Sequence, residues 1–241
     1  SQTGFKSFYC NDCTDKLDYY TSEWKKLGFQ PDGIYTGFLS SEKQVDKILD
    51  FINSFETENT LVLVDPVMGD GGRTYSLFTD ALACKMKKLV TVADVITPNL
   101  TECCILCDVD YCEFIKNADK PDFMDKIAEL GKNLLNRYGV KIVIITGIEH
   151  KDIDGTMYVQ NLIASKDEVF SVSCKKIGGN YSGTGDLFAS VMFSGLLRGD
   201  TLRDTVSLAV KFIETSLRDT VALGIDRNEG IEFEKHLKIL L

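Results

Sequence analysis

The sequence predicts an α/β fold with a mainly parallel central sheet and helices on both of its faces. Two runs, residues 60–65 (TLVLVD) and 141–146 (KIVIIT), are rich in β-formers and show no polar alternation. Such runs are typical of strands that are covered on both faces. Segments with the apolar spacing of helices lie between the strands, and strands that alternate with helices form parallel sheets.

Glycines, prolines and capping residues mark the ends of these segments. Gly28 ends the first helix and Pro66 and Pro98 end two strands, while Ser41 and Gln44 form a capping box for the second helix. The predicted helices are 12–27, 41–55, 79–92, 99–106, 121–138, 186–198, 201–218 and 230–240. The predicted strands are 33–37, 60–65, 95–97 and 141–146, followed by an antiparallel pair at 156–163 and 168–174.

Length and charge narrow the classes of function. The chain has 241 residues, of which 44% are hydrophobic, so it can bury the core of one large domain. Its net charge of −9 argues against a nucleic-acid partner, which would require basic surface. No apolar run has the length of a membrane span, so no membrane partner is expected.

The eight cysteines allow two interpretations. Cys10/Cys13 and Cys104/Cys107 each have the CxxC spacing of zinc ligands, but the two pairs are far apart in the chain, unlike the compact pattern of zinc ribbons. Cysteines on a predicted helix are also ordinary packing residues. We expect reduced thiols in a cytoplasmic protein rather than a zinc site.

A glycine-rich turn before a predicted helix is the strongest functional signal. Gly183, Thr184 and Gly185 come directly before Asp186. Such a turn directs several backbone N–H groups toward an anion, with the positive end of the helix dipole behind them. Asp186 could then take a proton from a hydroxyl that attacks a bound phosphate, which indicates phosphoryl transfer to an alcohol. The alternative is that Asp186 is only a helix N-cap.

Polar residues follow three predicted strands, where ligands bind in parallel sheets. They are Asp65, Thr97, Asn99, Glu102, Thr146 and Gly147. Asp65 and Glu102 could hold a hydrated Mg²⁺ beside nucleotide phosphates. Alternatively, Asp65 is a turn residue, and Asn99 and Glu102 cap a helix. The chain has no Walker A phosphate loop, and its two histidines have no evident catalytic partner.

Several strings, in order along the chain, resemble those of pyridoxal (pyridoxine/pyridoxamine) kinases of the ribokinase superfamily. They are Thr3-Gly-Phe5, Tyr35-Thr-Gly-Phe38, Asp65-Pro-Val-Met-Gly69, Thr97-Pro-Asn99 with Glu102, Thr146-Gly147 and Gly183-Thr-Gly-Asp186. The resemblance implies a ribokinase-like three-layer α/β/α sandwich. The related hydroxymethylpyrimidine kinases usually carry Cys where this chain has Asp186, which favours vitamin B6 as the substrate.

The resemblance also implies a role for each matching residue. Asp186 would be the catalytic base, which deprotonates the 5′-hydroxyl of the vitamer, with the N–H groups of Gly183, Thr184 and Gly185 as the anion hole. Thr3, Phe38 and Asp186 would bind the pyridine substrate. The remaining matches would bind ATP (Asp65, Thr97, Asn99, Glu102, Thr146 and Gly147), and Asp65 and Glu102 would also serve Mg²⁺, mostly through water.

The resemblance further implies ATP and Mg²⁺ as cofactors, a possible need for K⁺, and a cytoplasmic homodimer that salvages vitamin B6. Residues 1–241 would be a single kinase domain that lacks the family's N-terminal strand segment, upstream of Thr3. Two alternatives stay open: a hydroxymethylpyrimidine kinase, and a non-catalytic protein that binds pyridoxal phosphate or nucleotide.

Overall fold

The computed structural model describes residues 4–9, 11–76 and 78–241. Thr3 and Cys10, which the sequence analysis singles out, lie outside the described residues. Six strands form one sheet in the order β1-β2-β5-β6-β7-β8, and two short strands form a separate hairpin. The strands are β1 (Gly33–Thr36), β2 (Leu61–Val64), β3 (Gly69–Asp70), β4 (Arg73–Thr74), β5 (Val95–Ile96), β6 (Ile142–Lys151), β7 (Met157–Ser165) and β8 (Val169–Lys175).

The helices follow the predicted order, with some differences. Short 3₁₀ helices lie at Thr14–Lys16, where the first predicted helix begins, and at Arg227–Glu229. The α-helices are α1 (Leu17–Lys26), α2 (Glu42–Phe55), α3 (Asp80–Val90), α4 (Leu100–Cys107), α5 (Tyr111–Ile115), α6 (Phe123–Tyr138), α7 (Thr184–Arg198) and α8 (Leu202–Ala222). The short helix α5 was not expected from the sequence. The predicted last helix, 230–240, is instead a 3₁₀ helix at Glu234–Leu240.

Strands β1, β2, β5 and β6 are parallel neighbours, as predicted. Each connection between them contains a helix, which a parallel crossover requires. Val62, Leu63 and Val64 are all fully buried, although successive residues of a strand point to opposite faces. Both faces of this part of the sheet are therefore covered, which explains the absence of polar alternation.

Strands β6, β7 and β8 are joined by short connections, at 152–156 and 166–168. Connections of this length join antiparallel strands, because a parallel crossover needs a dozen residues or more. The sheet is therefore mixed and mostly parallel. Strand β6 continues to Lys151, five residues beyond its predicted end.

The described residues divide into two compact units. The larger unit, Asp12–Ile148 with Asn161–Ser171, contains α1–α6 and the parallel strands. One apolar core lies on the sheet face that carries Val62, Val64 and Ile96. Buried side chains of four helices pack there, among them Val45, Ile52, Leu82, Met86, Cys103, Leu106, Ile127 and Leu134.

The second unit contains Glu149–Gln160 and Val172–Leu241, with residues from the start of the chain. Helices α7 and α8 pack together in it. They approach closely at Gly195, where an added Cβ would lie 2.6 Å from the Thr205 side chain. Helix α8 begins at Thr201, whose hydroxyl accepts a hydrogen bond from the Asp204 N–H.

Candidate active site

The predicted residues Asp65, Thr97 and Thr146 lie on the same face of the sheet. Leu63, Val95 and Ile142 are cross-strand partners, and residues two or four positions further along a strand point to the same face. The ladder continues to these polar residues, because the N–H groups of Asp65, Thr97 and Thr146 donate to Thr36, Val64 and Pro98. The structure therefore brings these three together at the carboxyl edge of the sheet.

Asn99 and Glu102 form a complete capping box at the start of α4. The Asn99 side chain accepts from the Glu102 N–H at 3.0 Å, and Glu102 Oε2 accepts from the Asn99 N–H at 2.8 Å. The interpretation of these residues as a helix cap is thus confirmed. Their further role in binding ATP stays a prediction.

The same two side chains also hold the segment that follows β2. Glu102 Oε1 accepts from the Met68 N–H at 3.0 Å, and Asn99 Nδ2 donates to the Gly69 carbonyl at 2.7 Å. Residues that are thirty or more positions apart in the sequence are thereby joined at the sheet edge. Asn99 and Glu102 consequently position the Asp65-Pro-Val-Met-Gly69 segment.

Glu102 has a strongly perturbed pKa. Burial of its carboxyl group and the nearby charge of Asp65 raise its pKa from 4.5 to about 8, against the hydrogen bonds from backbone N–H groups. Glu102 is 3% exposed and Asp65 is 8% exposed. A carboxylate pair in such surroundings favours either a proton or a cation between its members.

The residues present fit a largely hydrated magnesium ion. Within the described ranges, no group of three or more His, Cys, Asp or Glu side chains could hold a metal. Asp65 and Glu102 would supply at most two carboxylates, and Mg²⁺ usually takes one or two carboxylates with water and substrate phosphates. A cation at this position would also lower the pKa of Glu102.

Thr97 carries a buried hydroxyl that forms no hydrogen bond with any described protein atom. Thr97 is 4% exposed, and its Oγ1 has no hydrogen-bond partner there. Buried polar groups are normally paired, so an unpaired one at a sheet edge indicates a ligand contact. Thr36 Oγ1 is also buried and unpaired, but Thr36 pairs with Val64 and so points to the opposite face.

We expect Thr97→Val to keep the fold and weaken nucleotide binding. Removing an unsatisfied buried hydroxyl should leave the free energy of unfolding unchanged or raise it by up to about 1 kcal/mol. The Kd for Mg·ATP should rise about 5- to 10-fold, as for the loss of one hydrogen bond. Thr36→Val is the matched control, and equal weakening in both variants would contradict the assignment.

Thr146 and Gly147 lie inside strand β6 rather than at its end. Gly147 is exposed, has a φ of 68°, and donates its N–H to Asn161 Oδ1 at 3.2 Å. An added Cβ at Gly147 would meet no atom within 4 Å. The backbone conformation, rather than crowding, therefore requires glycine here.

The glycine turn begins helix α7, in the second unit. Gly183 is the N-cap residue, with a φ of 82° and no side chain to cap the helix. By contrast, Ser41, Thr79, Asn99, Asp110 and Thr201 each cap a helix with a side-chain oxygen. The first-turn N–H groups of α7 thus receive no N-cap side chain, as an anion hole needs.

Asp186 is not the N-cap residue, so the alternative interpretation as a simple cap is wrong. It lies three positions after Gly183, in the first turn of α7, and it is exposed. The N-cap is Gly183, whose left-handed backbone conformation is one that glycine adopts readily. Thr184 is also held locally, by a hydrogen bond of 3.1 Å from its hydroxyl to the Tyr181 carbonyl.

The sequence analysis missed a cavity beside this turn. It has a volume of about 290 Å³ and is lined by Ser182, Gly183 and Leu187 together with seven residues from the segment 225–234. The Ser182 N–H donates to the Arg227 carbonyl at 3.0 Å and ties the two segments together. No motif in residues 225–234 indicated this cavity. Gly230 lies close to the turn, since an added Cβ there would be 3.5 Å from the Ser182 carbonyl oxygen.

Phe38 and the cysteines complete the predicted residues. Phe38 follows β1 and is 52% exposed, so its ring is available for stacking. Cys103, Cys104 and Cys107 lie on α4, and burial raises the pKa of each thiol, to about 11 for Cys104 and Cys107. These three are therefore unreactive packing residues.

Throughout the described helices, none is both long and apolar enough to cross a membrane.

The sequence matches the phosphomethylpyrimidine kinase family over residues 25–230. It is 27% identical to a hydroxymethylpyrimidine/phosphomethylpyrimidine kinase from Staphylococcus aureus, covering 82% of this chain and 66% of that protein. It is 25% identical to a pyridoxal kinase from Pseudomonas aeruginosa, covering 80% of this chain and 64% of that protein. The chain spans 47–66% of the length of the curated relatives it matches.

Solved structures of the same two kinds of kinase are also similar to this chain. A candidate phosphomethylpyrimidine kinase from Bacteroides thetaiotaomicron, crystallised with pyridoxal, is 36% identical with a TM-score of 0.88, covering 99% of this chain and 80% of that chain. Pyridoxal kinase from Lactobacillus plantarum has a TM-score of 0.85 at 24% identity, covering 100% of this chain and 82% of that chain. The predicted α/β fold, mostly parallel with helices on both sides, is confirmed. The chain belongs to the phosphomethylpyrimidine kinase family, within the ribokinase-like superfamily.

Proposed function

We propose that this protein transfers the γ-phosphate of ATP to the 5′-hydroxyl of pyridoxal, pyridoxine or pyridoxamine. The observation that carries this proposal is the start of α7, where a glycine N-cap without a capping side chain precedes an exposed acid, Asp186. The B. thetaiotaomicron structure with pyridoxal, at 36% identity, supports this class of acceptor.

In this mechanism Asp186 accepts the proton of the 5′-hydroxyl as the hydroxyl oxygen attacks the γ-phosphorus. The bond between the γ-phosphorus and the β,γ-bridging oxygen breaks at the same time, and ADP leaves. The N–H groups of Gly183, Thr184 and Gly185 stabilise the negative charge that builds on the phosphoryl oxygens. Because these donors are backbone groups at the start of a long helix, they need little reorganisation during the reaction. Phe38 stacks on the pyridine ring, and Thr3 is assigned to the same substrate by its sequence match.

The strand-end residues bind the nucleotide. Thr97, Asn99, Thr146 and Gly147 contact ATP, and Asp65 and Glu102 hold Mg²⁺ largely through water. When bound, Mg²⁺ neutralises phosphate charge. Asp65 and Glu102 would hold the ion, and the Glu102 carboxylate is itself fixed by hydrogen bonds from the Met68 and Asn99 N–H groups.

The cellular location, the oligomeric state and the ion requirement of the enzyme belong to the same proposal. We place it in the cytoplasm, as a homodimer that salvages vitamin B6, with K⁺ as a candidate activator. The domain assignment, residues 1–241 as one kinase domain, stays a prediction.

A hydroxymethylpyrimidine acceptor is the second candidate, favoured by the matches to the family and to the S. aureus kinase. The two are separated by comparing kcat/KM for pyridoxal and for hydroxymethylpyrimidine at saturating Mg·ATP. We expect pyridoxal to be preferred at least 10-fold. A preference for the pyrimidine would keep the chemistry and reverse the choice of substrate, and nucleotide binding without turnover would favour the non-catalytic alternative.

A further inference from the structure

The β3–β4 hairpin follows strand β2 at the carboxyl edge of the parallel sheet. Its turn consists of Gly71 and Gly72, with φ values of 57° and 78°. Positive φ at both central residues defines a tight two-residue turn that only glycine-like residues adopt readily. The turn sets Asp70 and Arg73 directly opposite each other across the hairpin.

Helices α4 and α5 hold this hairpin in place. The Gly72 N–H donates to Thr101 Oγ1 at 2.9 Å, and the Gly69 carbonyl accepts from Asn99 Nδ2 at 2.7 Å. Gly72 also packs so closely on the Tyr111 ring that an added Cβ would lie 2.5 Å from it. The hairpin is therefore a fixed platform rather than a free loop.

In the larger unit, three segments follow the strands β2, β5 and β6 at the carboxyl edge, namely 65–76, 97–102 and 146–148. Arg73 is the only basic residue in these three segments. Its side chain is exposed, and no carboxylate of the described chain pairs with it. The carboxylate of Asp70, its cross-strand neighbour, instead accepts from the Gly71 N–H at 2.8 Å. The donors of the Arg73 guanidinium are therefore available to a ligand.

A nucleotide that binds at this edge of the sheet needs a positively charged partner. The carboxyl groups of Asp65 and Glu102 are buried at this edge of the sheet, and the whole chain carries a net charge of −9. The Mg²⁺ complex of a triphosphate keeps a net negative charge, so a positively charged side chain at this edge favours its binding. An arginine supplies five donors in a planar fork that matches phosphate oxygens.

We propose that Arg73, displayed by the hairpin, binds the phosphate groups of the nucleotide. This inference rests on the proposed function, because it assumes that ATP binds at the carboxyl edge. It assigns to Arg73 the recognition of phosphates rather than of the base, so that Arg73 discriminates ATP from adenosine.

The test compares Arg73→Gln with Lys88→Gln, which removes an exposed positive charge from α3 in the same unit. Calorimetry with Mg·ATP and with adenosine gives a Kd for each ligand. We expect Arg73→Gln to weaken ATP binding about 10- to 100-fold and leave adenosine unchanged, as for the loss of charge-assisted hydrogen bonds. Arg73→Lys should recover part of the loss, and Lys88→Gln should bind ATP within 2-fold of the wild type.

The two proposals fail in different ways. If the wild type binds ATP and Arg73→Gln binds it equally well, the role of Arg73 is overturned and the kinase proposal stands. If the wild type binds no ATP, both proposals fall. Equal weakening of ATP and adenosine in Arg73→Gln would show a disturbed hairpin instead of a lost phosphate contact, which also overturns the inference.

Discussion

Asp186→Asn is expected to lower kcat about 10²- to 10⁴-fold, the usual contribution of a general base. The amide keeps the size of the carboxyl group but cannot accept the proton of the attacking hydroxyl. The KM values for ATP and pyridoxal should change little, because asparagine can still form a hydrogen bond with the substrate hydroxyl and loses only the ability to accept its proton. Steady-state ADP release with saturating Mg·ATP measures the effect.

The Asp186 prediction needs a fold control and a charge control. Because Asp186 is exposed, the variant should unfold within 1–2 °C of the wild type, as is usual for surface substitutions. Asp167→Asn removes another exposed carboxylate, at the turn between β7 and β8, and should keep full activity. Loss of less than 10-fold in Asp186→Asn would remove Asp186 from its role as the base.

Glu102→Gln is expected to change how stability depends on pH. The pKa of Glu102 is raised from 4.5 to about 8 in the folded protein, so folding favours the protonated form. The stabilisation that this bound proton gives to the folded protein is fully present below pH 4.5. It is lost as pH rises toward 8, at up to about 1.4 kcal/mol per pH unit. Glutamine does not titrate, so the variant should lack this slope.

The two stability curves should cross. Glu102 accepts from two backbone N–H groups, those of Met68 and Asn99, and an amide oxygen can serve only one of the two positions. Near pH 5 the variant should therefore be less stable by about 1–3 kcal/mol, the cost of an unsatisfied buried donor. Near pH 8.5 it should be the more stable protein.

Urea unfolding from pH 5 to pH 8.5, in EDTA and without nucleotide, measures both curves. Parallel curves for the wild type and Glu102→Gln would show that Glu102 does not titrate in this range. Added Mg·ATP should flatten the slope of the wild type, since a nearby cation favours the ionised carboxylate.

The sequence was sufficient for most of the fold because its signals are local. Unalternating runs such as 60–65 identify buried parallel strands, and Asn99 with Glu102 shows the start of α4 within four residues. The β3–β4 hairpin was not foreseen, because strands of two residues carry no periodicity. Strand β6 was predicted too short, because its last residues, through Lys151, are partly exposed and polar.

The sequence indicated candidate site residues through short motifs, but it did not indicate the contacts that these residues make. Strand ends and the glycine turn can be read from the chain, since each is a short motif. The contacts from Glu102 to Met68, and from Arg227 to Ser182, join distant segments and depend on the folded packing. The unpaired hydroxyl of Thr97 is likewise visible only when all its neighbours are known.

Formation of pyridoxal 5′-phosphate from pyridoxal and Mg·ATP tests the central claim most directly. Phosphorus NMR of the reaction should show the γ-phosphate signal of ATP replaced by a phosphate monoester at the 5′ position, with one ADP formed per ester. The account predicts this product with the wild type and almost none with Asp186→Asn. Stable binding of ATP and pyridoxal by the wild type, with no ester after many hours, would contradict it.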